Sequence, residues 1–123
     1  MLVKVADFFS TNMMIGMSLY LCGHILAWYT HNLQFAYEWW KDKPILSNLL
    51  FGIPCGFAFW YGTKFVMSAT DALWTSRFIA FSISYVTFPI LTWYYLNESM
   101  FTAKTLICTF LAFLIVAIQI VMK

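Results

Sequence analysis

The sequence predicts an all-α, polytopic membrane protein with four transmembrane helices joined by short loops. Three observations predict it. Four apolar runs, at about residues 13–33, 46–67, 72–96 and 103–122, fill nearly all of the 123 residues. Each approaches the ~20 residues that a helix needs to cross a ~30 Å hydrocarbon layer. Second, 63% of the residues are hydrophobic and only 10% are charged, with a mean hydropathy of +0.78. A soluble domain this small has too much surface for its volume to hide so much apolar area. Third, the runs are continuous and lack the alternation of β-barrel strands, which leaves helices to satisfy the backbone in lipid. The whole chain, 1–123, reads as one domain passing several times through the cell membrane, with lipid as its surroundings.

Residues 1–12 read as an interfacial lead-in, with Phe8 and Phe9 at headgroup level. No cleavable signal peptide is expected, because Lys4 and Asp7 precede an apolar run without a small-x-small cleavage site. The first helix begins near Asn12 and frays over His31 to Phe35. The loop from Tyr37 to Pro44 sets Trp39 and Trp40 beside Glu38, Lys41, Asp42 and Lys43, a pairing that membrane–water boundaries favour. The second helix runs from Leu46 to the neighbourhood of Lys64–Ser68, where Lys64 snorkels. Within it, Gly52 and Gly56 form a GxxxG, with Pro54 between them and Gly62 beyond. Small residues at this spacing are expected to pack helices closely, and Pro54 permits a kink. Thr70 and Asp71 make a turn and an N-cap for the third helix. That helix ends in a second interfacial belt, Tyr94-Tyr95-Leu96-Asn97-Glu98, and Thr102 caps a fourth helix running to Met122. Short connections make neighbouring helices antiparallel.

The net charge of +2 is too small for a polybasic lipid patch or a nucleic-acid surface, so no nucleic-acid partner is expected. With a cytoplasmic N-terminus, Lys4, Lys64, Arg77 and Lys123 fall on one side and Lys41, Lys43 and Lys104 on the other. Such a balance gives almost no orientation bias; either topology is decided by something else, or the chain inserts both ways and pairs with an inverted copy of itself. Cys22, Cys55 and Cys108 form no CxxC pair and are odd in number, so neither a disulfide framework nor a metal site is indicated. Nothing resembling a paired-carboxylate, HExxH, phosphate-loop or Ser/His/Asp constellation is present. No enzymatic activity and no cofactor are expected.

Ionisable groups at membrane depth are rare, and each is a candidate site. His24 lies near the middle of the first helix, with Trp28 at i+4 and His31 at i+7 on the same face. The imidazole of His24 is a natural proton carrier where no carboxylate is present, or a neutral group bonded to a neighbouring helix. Arg77 follows Trp74 by three residues, and Phe81 and Ser84 continue the stripe. Its guanidinium either snorkels outward or faces a cavity, where it binds an anion or pairs with Asp71 or Glu98 across the assembly. With aromatics at 21% of the chain, a cavity walled by Trp28, Phe51, Trp60, Trp74 or Phe81 suits flat or cationic molecules. The expected substrate-binding set is His24, Trp28, Phe51, Trp74, Arg77, Phe81 and Ser84.

Two stretches carry a family likeness. Ser68-Ala69-Thr70-Asp71-Ala72-Leu73-Trp74 resembles the run into helix 3 of the drug/metabolite transporter superfamily. Leu96-Asn97-Glu98-Ser99-Met100-Phe101-Thr102-Ala103-Lys104-Thr105 resembles that family's Gly-Glu, small linker, Lys connection into a final apolar helix. In size the chain is most similar to the small multidrug resistance type. The resemblance implies four helices, a dimer of subunits in opposite orientations or a paired partner subunit, and exchange of protons for amphipathic substrates or movement of small metabolites. The multidrug exporters carry a Glu in helix 1; here no carboxylate lies there, and His24 falls at or beside that position. Helix 4 also offers Cys108, Ala112 and Ala117 in place of a Gly-containing face. These departures favour a metabolite or lipid role over drug/proton antiport. The expectation is thus a dimeric transporter, with His24 coupling protons; a non-transporting accessory subunit of a heteromeric complex and a small anion channel are the alternatives.

Overall fold

A computed structural model describes residues 7–122; Lys4 and Lys123, which entered the charge balance, lie outside the described residues. Within them the chain is all-helical, and its long helices are α1 (Thr11–Ala36), α2 (Pro44–Thr70), α3 (Leu73–Leu96) and α4 (Ala103–Val121). A short 3₁₀ turn, Glu38–Trp40, sits in the first loop. Three helices, α2, α3 and α4, are long and apolar enough to cross a membrane. The 26-residue α1 holds no charged residue, but Tyr20, His24, Trp28, Tyr29 and Thr30 dilute its apolar character.

Local chemistry explains the helix ends. The Ser10 hydroxyl accepts the Met13 N–H and starts α1, satisfying one of the donors a helix N-terminus leaves over. The fray expected over His31–Phe35 does not occur. Thr30 and Gln34 donate to the carbonyls of Leu26 and His31, His31 bonds to that of Ala27, and the helix continues to Ala36. In α2 the turn before Pro54 is a π turn, Asn48–Gly52, in which the Ile53 N–H reaches Asn48 O. Pro54 lacks an N–H and cannot serve the carbonyl four residues back, and a wider turn absorbs that missing bond. Asp71 does not cap α3 as the sequence suggested. It adopts a left-handed conformation (φ 53°) and closes α2 by donating its N–H to Met67 O; Asp tolerates this region because its short polar side chain bonds locally. Thr102 does cap α4, accepting the Thr105 N–H.

The helices stand in a row, α2–α1–α3–α4. The central α1 packs along both α2 and α3, which touch each other at few points, and α4 rests chiefly on α3. The α1–α2 approach is set by Gly16 and Gly62. A Cβ on Gly16 would lie 2.5 Å from Val66 Cγ2 and 3.0 Å from Gly62 O, and one on Gly62 would lie 2.8 Å from the Tyr20 ring. The atoms nearest a Cβ on Gly52 belong to the Asn48 side chain of its own helix, and around Gly56 nothing comes within 4 Å. Among the described residues, Gly56 thus meets no neighbouring helix at its Cβ position. Met13, Tyr20, Val66 and Ile79 form the buried core beside this crossing. On α4 only Ala112 is buried, while Leu106, Ile107, Phe110, Phe113, Leu114 and Ile118 are exposed. In water such an uncovered apolar face is a liability, whereas lipid accommodates it.

Candidate functional site

Because α2 and α3 part on either side of α1, they leave a half-open cavity of about 720 Å³. Its floor is Tyr20 and His24 of α1, one helical turn apart; one wall is Phe59 and Thr63 of α2; the other is Leu73, Trp74, Ser76, Arg77, Ala80 and Phe81 of α3. The volume is within the range of small-molecule sites, which are mostly apolar with a few placed polar groups.

The polar groups are held by cross-helix bonds. The Tyr20 hydroxyl bridges Thr63 Oγ1 (3.0 Å) and the Ser76 hydroxyl, tying all three helices together at one atom. His24 Nε2 lies 2.6 Å from the carbonyl oxygen of Ala80. A carbonyl only accepts, so Nε2 carries the hydrogen and donates it, leaving Nδ1 of a neutral ring as an acceptor. The His24 ring also meets Phe59 edge-on at 4.8 Å. Gly23, one residue before His24, makes room for the Phe59 ring: a Cβ there would lie 3.1 Å from it.

Arg77 is exposed, about one turn inside α3, with its guanidinium 4.6 Å above the Phe81 ring. Within the single chain neither Asp71 nor Glu98 pairs with it, and among the described residues the ion pair is Lys41 with Glu38; a pairing across an assembly involves a second chain. Trp74 stacks on Phe78 and is 74% exposed.

Four residues of the expected set, His24, Trp74, Arg77 and Phe81, thus surround one cavity. Trp28 is not part of it: at 2% exposure it is packed against Tyr95 and donates its indole N–H to Thr92 Oγ1 at 3.0 Å. With Ser84, Ala27, His31, Asn32 and Phe88 it lines a smaller hollow of about 230 Å³, and His24 borders both spaces. Phe51 lines neither cavity; it packs between Tyr29 and Trp40. Trp60 turns outward against Tyr61, with Lys64 5.8 Å from its ring. Sequence reasoning missed Tyr20, Phe59, Thr63 and Ser76. Tyr20 precedes His24 by one turn and was open to detection on that ground; the other three become neighbours only through the helix crossings.

Neither models of known protein families, nor curated protein sequences, nor solved structures give a match to this chain.

Proposed function

We propose that the chain is a small multi-pass membrane transporter of the drug/metabolite type, working as a dimer in the cell membrane and moving a small amphipathic or polar metabolite. The observation that carries this reading is the half-open cavity walled by α1, α2 and α3, with His24 and Arg77 on its lining. Ionisable groups at this depth are costly in lipid and mark pathways. In this reading α1 is the fourth span. Its 26 residues extend about 39 Å, and its polar side chains Tyr20, His24 and Trp28 bond to α2 and α3 and so are kept from lipid. A single chain leaves the cavity open at its side, and a second copy, inverted or parallel, closes it. His24 is the proton carrier: a proton taken up at Nδ1 leaves the Nε2–H bond to Ala80 intact, so the ring titrates without losing its tether.

The test is flux in proteoliposomes under an imposed pH gradient. Proton movement coupled to substrate, lost in His24→Ala, is expected; no flux of any candidate solute, with wild type and variant alike, refutes transport. Tags on both termini report orientation, and two populations are expected for an inverted homodimer. An accessory-subunit role draws on the uncovered face of α4. Purification in mild detergent separates the two: a stable homodimer supports transport, a stoichiometric heteromer the subunit.

A further inference from the structure

We propose that the ligand of the main cavity is an amphipathic organic anion: a flat apolar body bearing one carboxylate or phosphate, its charged end on Arg77 and its body between Trp74 and Phe59. This rests on the transporter reading for its site, but not on flux.

Among the described residues the lining carries one permanent cation, Arg77, and no Asp or Glu. A guanidinium at the mouth of a mostly apolar cavity is a ready site for a counter-charge, and among the described residues of the single chain none is bonded to it. What it has instead is the face of Phe81 at 4.6 Å. Its planar fork of donors matches a carboxylate or phosphate in bidentate fashion. A cationic ligand meets the opposite circumstances: no carboxylate to receive it, a like charge at the cavity wall, and one aromatic face already covered by that charge. The hydroxyls accommodate an anion as well: Thr63, Tyr20 and Ser76 own three hydroxyl protons, and the two bonds among them use two, which leaves one to donate. Phe59 and the exposed Trp74 supply apolar walls for the rest of the molecule.

Two sources supply such an anion: a dissolved aromatic acid or the phosphate headgroup of a lipid, since Arg77 is only one turn inside α3. The full chain is placed in phosphatidylcholine nanodiscs, and binding of 1-naphthoate is compared by equilibrium dialysis with that of 1-naphthylmethylammonium. Naphthoate is expected to bind at least about tenfold more tightly. Arg77→Gln lowers that affinity by about tenfold or more, Arg77→Lys retains part of it because it keeps a point charge, and Lys64→Gln, which removes an equal charge outside the cavity, leaves it unchanged. Circular dichroism verifies that each variant keeps its helices. Doping the discs with phosphatidic acid distinguishes the sources: displacement of naphthoate assigns the site to a lipid headgroup, no displacement to a dissolved acid. Equal binding of the two probes, no binding of naphthoate, or indifference to Arg77→Gln overturns the proposal. Naphthoate binding without flux sinks the transporter reading and leaves the anion site standing; flux of a cation unaffected by Arg77→Gln does the reverse.

Discussion

Replacing Gly16 by alanine tests the helix crossing on which the cavity depends. The added Cβ would lie 2.5 Å from Val66 Cγ2, where ordinary contact begins at 3.4 Å, and 3.0 and 3.1 Å from the backbone atoms Gly62 O and Val66 N. None of these neighbours yields easily. Val66 is fully buried, a β-branched side chain in a helix has one strongly preferred rotamer, and backbone atoms move only with their helix. The helices must therefore separate by roughly 1 Å, and overpacking of this kind costs about 1–3 kcal/mol. Alanine is also the better helix former by up to ~1 kcal/mol, which partly hides the clash. Gly56→Ala supplies the control, because it brings the same gain at a position with nothing within 4 Å. The difference between the two variants isolates packing and is expected to be about 2 kcal/mol, or about 30-fold in the folding equilibrium. Steric trapping in bicelles at fixed protein concentration measures it. A difference below ~0.5 kcal/mol, the ordinary scatter of neutral substitutions, would refute the crossing. Tyr20 lies one turn beyond Gly16, so a loosened crossing also weakens the bridge to Thr63 and Ser76.

Two further predictions address the bridge and the spans. Tyr20→Phe removes the hydroxyl that joins Thr63 and Ser76; the 1%-exposed Ser76 then loses its partner, and a stability loss of about 1 kcal/mol is expected by the same assay. The double variant Tyr20→Phe/Ser76→Ala should recover part of that loss, since no buried hydroxyl is left unmatched; an unperturbed Tyr20→Phe would exclude the bridge. Cys22 lies near the middle of α1 and is exposed on the surface of the chain. If α1 spans the bilayer, a membrane-impermeant maleimide fails to label Cys22 in sealed proteoliposomes and labels it once detergent is added. Rapid labelling of the sealed vesicles would place α1 outside the hydrocarbon.

The helices were legible in the residues themselves. Continuous apolar runs, the Thr102 hydroxyl and the interruptions at Pro44 and Asp71 mark α1 to α4 to within a few residues, because helix formation and its termination are decided by near neighbours. The stripe spacing likewise set Trp74, Arg77 and Phe81 on one side of α3. Partners were not legible. Gly52 and Gly56 have the better-known spacing, yet Gly16 and Gly62 make the contact, since which glycines meet depends on where two helices cross. Trp28 shares a helical face with His24 but turns into a dry bond with Thr92, and Phe51 lodges among rings at the first loop.

What the sequence by itself determined is the set of helices, their lengths and their apolar surface, all consequences of local backbone chemistry and of side-chain transfer from water. Only the tertiary structure decided that His24 donates to Ala80 and that Tyr20 joins Thr63 to Ser76. Only it set Arg77 over Phe81, with no carboxylate bonded to it among the described residues. The reason is geometric: α2 and α3 diverge from α1, and residues dozens of positions apart become neighbours through crossings that no local rule specifies.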